Sequence, residues 1–127
     1  MTPKFLIATR HKDRFIPLAE ALETLIQADI HWAATGKEAI EQAGSLLPVL
    51  TVIDETLPDM SGLETIRDLM TTNALLNTAL VSSLSPDDFH EFSEGLGILV
   101  QLPVSPGEKE AGEIVSSLRN IFALPPE

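Results

Sequence analysis

The chain has 127 residues, 44% apolar and only 5% aromatic, and its 19 acidic against 8 basic side chains give a formal net charge of −11. That length suits one domain over 1–127, with a core of Leu, Ile, Val and Ala, and such acidity gives nucleic-acid binding no electrostatic support. The lack of cysteine excludes disulfides, thiol catalysis and Cys-based zinc sites, and no stretch nears the roughly 18–20 apolar residues that cross a bilayer, so a cytoplasmic protein with no membrane or nucleic-acid partner is expected.

Short apolar strands alternate with amphipathic helices along the whole chain. Lys4 to Ala8 reads as the first strand, because four consecutive apolar residues suit burial on both faces. The spacing of Phe15, Leu18, Ala19, Leu22, Leu25 and Ile26 predicts a helix from about Asp13 to Gln27. Pro17 is expected in its first-turn region, where a missing N–H matters least. Asp29 to Ala33 is a weaker strand, interrupted by His31, and Lys37 to Ala43 a short helix closed by Gly44 as its C-cap. Val49 to Ile53 is the clearest strand, a β-branched run ending abruptly at Asp54. After a Pro/Asp/Ser/Gly turn, Leu63 to Thr71 forms a helix with Leu63, Ile66, Leu69 and Met70 inward. Thr78 to Ser82 reads as the fourth strand. Ser85 then caps a helix that has Pro86 at its first position and Asp87 and Asp88 in its first turn. That helix is expected to reach about Glu94 and stop at Gly95. Ile98 to Leu102 is the fifth strand. The last helix starts after Pro106 and runs to about Phe122, with Ala111, Ile114, Val115, Leu118 and Phe122 inward.

Five strand–helix units imply an α/β, doubly wound parallel sheet covered on both sides, since parallel neighbours need helical crossovers. Right-handed connections make the flavodoxin-like order 2-1-3-4-5 the simplest. That order brings the ends of strands one and three together at the switch point, where open α/β sheets place ligands and chemistry. Arg10 and Asp54 are therefore expected to be close.

Several segments together carry a family likeness. Ile53-Asp54 is followed by Leu57-Pro58-Asp59-Met60-Ser61-Gly62, Thr35-Gly36-Lys37-Glu38-Ala39-Ile40 opens the second helix, and Gly95 through Pro103 spans the final strand. In this order and spacing the chain resembles the receiver domain of two-component response regulators over nearly its full length. The resemblance implies that Asp54 is the phosphoacceptor, that Pro58 and Gly62 form the turn after it, and that Pro103 lies in a cis-proline turn. The hydroxyl touching the phosphoryl group would be Ser83 by spacing, or Ser82 if the strand is offset. Thr9 and Arg10 stand where the family has its magnesium-binding acids, Leu102 where it has its lysine with Gln101 the nearest polar side chain, and Leu99 where it has its switch aromatic.

Hard cations need clustered oxygen ligands, so Asp54 beside a permanent positive charge on Arg10 makes a poor magnesium site. No metal or other cofactor is expected, and Arg10 is expected to pair with Asp54 in the metal's electrostatic role. The first reading is thus a stand-alone, atypical receiver in phosphorelay signalling that acts by protein interaction, with any activity limited to self-phosphorylation or dephosphorylation at Asp54. Its alternatives are a genuine regulator phosphorylated on Asp54 with magnesium, and a small anionic-ligand sensor using the same pocket.

Glu55, next along the strand end, is expected to point away from Asp54, which speaks against a paired-carboxylate hydrolase. Asp59 reads as a turn-initiating or solvated residue. T-R-H-K after the first strand is no glycine-rich phosphate loop, so dinucleotide and P-loop readings fail. His11 sits near the active end, His31 and His90 read as surface residues, and Trp32 as a packing residue. The resemblance implies a protein partner, such as a histidine kinase or a separate output protein. It also implies a docking or homodimer face from Ser85 to Glu94, Leu96 to Gln101 and Glu108 to Arg119. The chain stops at Pro125-Pro126-Glu127, so no output domain is expected.

Overall fold

The computed structural model describes residues 2–73 and 75–121. In chain order its elements are β1 (Lys4–Ala8), α1 (Lys12–Ile26), β2 (Asp29–Ala33), α2 (Gly36–Leu46), β3 (Leu50–Ile53), α3 (Gly62–Thr72), β4 (Thr78–Val81), α4 (Pro86–Phe92), β5 (Ile98–Leu102) and α5 (Glu108–Ile121). The five strands form one parallel sheet in the order β2-β1-β3-β4-β5. The expected doubly wound topology is the observed one.

Burial follows position in the sheet. Every residue of β3 and β4 and the last four of β1 are buried, whereas β2 and β5, at the edges, are only partly covered. Alternate residues feed two cores. Phe5, Ile7, Leu50, Val52 and Val81 meet Phe15, Leu18 and Leu22 of α1 and Ile114 and Leu118 of α5. Leu6, Ala8, Ile53 and Leu80 meet Ala39 and Ala43 of α2, Ile66 and Leu69 of α3 and Phe89 of α4. Each large side chain taken fully out of water contributes about 1.5–3 kcal/mol, and this division commits each helix to one side of the sheet.

Four local expectations need correction. Pro17 lies at the sixth position of α1, beyond the first turn. It is exposed, and its missing N–H removes the bond to the Asp13 carbonyl from the helix ladder. Helix α2 runs through Gly44 and ends at Leu47, which takes a left-handed φ of 49°. Pro48 is the stop, because the residue before a proline is driven out of the helical region. Among the described residues no peptide bond is cis, so Leu102–Pro103 is trans, the isomer X–Pro bonds prefer by about 0.5–1 kcal/mol. Helix α4 is also shorter than expected, ending at Phe92, where the Ser93 hydroxyl donates to the Phe89 carbonyl at 2.7 Å. Phe122 and the terminal Pro125-Pro126-Glu127 lie outside the described residues. No helix among the described residues is long and apolar enough to cross a membrane.

Candidate functional site at the β1 and β3 ends

Ala8 and Ile53 are registered partners, and the Asp54 amide donates to the Ala8 carbonyl at 2.9 Å. The ladder therefore delivers Asp54 and Thr9 to the same spot at the carboxyl end of the sheet. Asp54 is 7% exposed and Thr9 5%. The Thr9 hydroxyl donates to Asp54 Oδ2 at 2.6 Å, and the Glu55 amide donates to Asp54 Oδ1 at 2.8 Å. Thr9 Oγ1 in turn accepts from the His11 amide at 2.9 Å, just ahead of α1. Because that oxygen already takes a proton from His11, its own proton is directed at Asp54. A buried carboxylate is expensive without donors, and here neutral groups supply them.

The expected pairing of Arg10 with Asp54 is not found. Arg10 is exposed, and among the described residues it makes no ion pair. It stands with His11 and Arg14 beside a cavity of about 300 Å³ that Asp54, Glu55, Thr56, Val81 and Val104 complete. Thr9 and the Glu55 amide already steady the carboxylate, and an exposed guanidinium gains little from an ion pair beyond its own hydration.

Glu55 follows Asp54 past the end of β3, and its side chain reaches the end of β4. It borders the Asp54 cavity, and its carboxylate accepts from the Ser83 amide at 3.1 Å and from the Ser83 hydroxyl at 3.2 Å. Ser82 is buried, and its hydroxyl oxygen accepts from the Leu84 amide at 3.2 Å. Leu102 is buried in the core under α1 and α5, and Leu99 packs half-buried against that core. Gln101 donates to the carbonyls of Leu84 (2.8 Å) and Ser82 (3.3 Å). Neither Leu102 nor Gln101 lines the Asp54 cavity.

The turn after Asp54 is fixed from three directions. Leu57 donates its amide to the Met60 carbonyl across Pro58-Asp59, and the Gly62 amide donates to the Glu55 carbonyl at 2.9 Å. A Cβ on Gly62 would stand 2.2 Å from the Asp54 carbonyl oxygen, so only glycine fits there. Asp59 is neither a turn initiator nor merely solvated. Its carboxylate accepts from the Gly36 amide at 2.8 Å and the Lys37 amide at 3.0 Å, at the start of α2. Those bonds, Gly36 first, hold its carboxyl below the usual carboxylate range. No local pattern reveals this 23-residue contact. Ser61, by contrast, is an N-cap readable as S-x-x-E: its hydroxyl oxygen accepts from the Glu64 amide at 3.1 Å and its proton is donated to Glu64 Oε1.

The remaining candidates lie apart from the cavity. His31 bonds Asp29 at 3.0 Å on the edge strand, His90 is exposed on α4, and the Lys12 ammonium sits 4.7 Å over the half-buried Trp32 ring. Among the described residues no group of three His, Cys, Asp or Glu side chains is arranged to hold a metal. The cavity at Asp54 is lined by two acidic residues, Asp54 with a hydrogen bond at each oxygen and Glu55 with its carboxylate held by Ser83, together with His11 and the guanidinium-bearing Arg10 and Arg14.

No protein-family model matches the chain. It is 29% identical over 100 residues to the protein-glutamate methylesterase/protein-glutamine glutaminase 1 of Methanosarcina mazei, covering 74% of this chain and 28% of that protein. It is 30% identical over 95 residues to the protein-glutamate methylesterase/protein-glutamine glutaminase 3 of Paramagnetospirillum magneticum, covering 73% of this chain and 26% of that protein. The chain thus spans about a quarter of the length of these curated relatives. Among solved structures, a two-component response regulator from Clostridium difficile superposes with a TM-score of 0.81 at 20% identity, over 94% of this chain and 98% of that one. With its strand order and two-sided helical cover, this chain has the same fold as the response-regulator structure it superposes on, with an aspartate just past the end of β3.

Proposed function

We propose that this chain is a receiver-like protein-interaction module of phosphorelay signalling in the cytoplasm, and that it works without phosphorylation of Asp54. The observation that carries this reading is the 2.6 Å bond from Thr9 to Asp54 Oδ2. Acyl phosphate formation needs a carboxylate oxygen to attack phosphorus, which a short donor bond makes less nucleophilic, and a divalent ion to offset charge on the transferring oxygens. Here one oxygen faces the Thr9 proton and the other the Glu55 amide, with the acid positions held by Thr9 and Arg10. The lysine position is Leu102, buried in the core. The hydroxyl and amide of Ser83, which would meet an incoming phosphoryl group, already meet the Glu55 carboxylate.

The partner is a protein, such as a histidine kinase or a separately encoded output protein. Self-association through α4, β5 and α5 is the weaker variant of this reading. It would set the exposed Asp87, Asp88, Glu91 and Glu94 of one copy near the same residues of another, in a chain whose net charge is already −11.

The test is incubation with acetyl phosphate and Mg²⁺ followed by intact-mass analysis. The unmodified chain is expected to remain unlabelled, and the double variant Thr9→Asp, Arg10→Asp to gain a phosphoryl adduct at Asp54. A Mg²⁺-dependent adduct on Asp54 of the unmodified chain refutes the proposal.

A further inference from the structure

Beside the Asp54 cavity, on the other side of Glu55, lies a second hollow of about 410 Å³ between α3 and α4. Its apolar surface comes from Leu63, Leu80, Leu84 and Phe92. Two of these are unusually open for their type, Leu84 at 38% and Phe92 at 50% exposed. Phe92 is the last residue of α4, and its neighbour Phe89 points into the core instead. The helix therefore carries one aromatic for the fold and one at the mouth of the hollow. An exposed aliphatic–aromatic cluster around a concavity marks a binding surface more than a scattered exposed Leu does.

The rim indicates what enters. Glu55 and Glu64 border the hollow, with Arg67 the one basic side chain lining it. Asp87, Asp88 and Glu91 are exposed on α4 nearby, and the whole chain is at −11. A second copy of this chain would bring that acidity against itself, and a nucleic acid would bring phosphates to it. Charge complementarity selects a cationic polypeptide.

We infer that the α3–α4 hollow docks a partner segment that inserts one large apolar side chain between Leu84 and Phe92 and sets flanking Lys or Arg residues against Glu55 and Glu64. This rests on the interaction-module reading above and names the surface and the chemistry of its partner. The volume accommodates an anchor of leucine to tryptophan size, the kind of buried residue that dominates interface energetics. Glu55 gives the docking a second consequence. Its carboxylate holds Ser83 and also borders the Asp54 cavity, so a partner cation recruited to Glu55 competes with the Ser83 bonds.

The test uses the isotope-labelled full chain in EDTA, titrated with three synthetic helical peptides. One carries a Phe anchor flanked by Lys, one the same anchor flanked by Glu, and one Lys without the anchor. The Phe/Lys peptide is expected to bind saturably and to shift the amides of Leu63, Leu80, Leu84 and Phe92. Binding should weaken at least tenfold in Phe92→Ser and in Leu84→Ser, both surface changes whose folding the same spectra report, and should weaken with added salt. Equal binding of the Glu-flanked or anchorless peptide overturns the inference, as do shifts mapping to another face or unchanged affinity in both variants. Repeating the titration with Mg²⁺ and acetyl phosphate separates the two proposals. Binding at this face only after phosphorylation refutes the interaction reading and keeps the surface, whereas binding under neither condition refutes the surface and leaves the reading standing.

Discussion

Replacing Thr9 by Val preserves the side chain's shape and removes the one hydroxyl that serves both Asp54 and the His11 amide. With Thr9 and Asp54 5% and 7% exposed, water cannot simply take its place. Hydrogen bonds to charged groups contribute about 1.5–3 kcal/mol, and stranding a buried carboxylate belongs at the upper end of that range. Thr9→Val should therefore lower stability by about 2–3 kcal/mol. With a urea dependence of about 2 kcal/mol per molar for a domain this size, the unfolding midpoint falls by about 1–1.5 M. A double-mutant cycle with Asp54→Ala isolates the pair, and a coupling of about 1.5–2.5 kcal/mol is expected. Arg10→Ala, at an exposed position with no bonded partner shown, should stay within about 0.5 kcal/mol of the parent. A Thr9–Asp54 coupling below about 0.5 kcal/mol, or a larger loss from Arg10→Ala than from Thr9→Val, would show that the guanidinium and not the hydroxyl steadies the carboxylate.

The turn after β3 supplies two further predictions. Gly62→Ala places a methyl 2.2 Å from the Asp54 carbonyl oxygen, a backbone atom that cannot step aside, and thermal unfolding should report a loss of about 2–3 kcal/mol. Asp59→Asn should weaken the clamp on α2 in a pH-dependent way. Because the native carboxyl is held below its ordinary range, its contribution is complete above that range and is lost as pH falls through the lowered native value. The gap in urea midpoint between parent and variant should be open at pH 7 and close in acid, and a gap that widens on acidification would refute the assignment.

The two-sided burial of β1, β3 and β4 was legible because uninterrupted runs such as Phe5 to Ala8 and Leu50 to Ile53 leave no face for water. Asp54 was legible for the same reason, as the first polar residue after such a run. What escaped the sequence was pairwise. Arg10 looked like the obvious partner because charge is visible in a sequence, while the hydroxyl beside it became the partner through register, with Ala8 opposite Ile53. The end of α2 was misjudged because Gly44 is the commoner stop signal, although Pro48 imposes the stricter one. Asp59 illustrates the general limit, since both of its partners lie more than twenty residues upstream.

That same aspartate makes two distant pieces of chain into one mechanical part. The loop bearing Pro58 is stitched at one end to the backbone behind Asp54, through Gly62, and at the other to the first two amides of α2. Lifting it away from the sheet unravels the opening turn of a helix that belongs to a different strand–helix unit. Any displacement of the loop must therefore either break its bonds to the opening amides of α2 or carry them along.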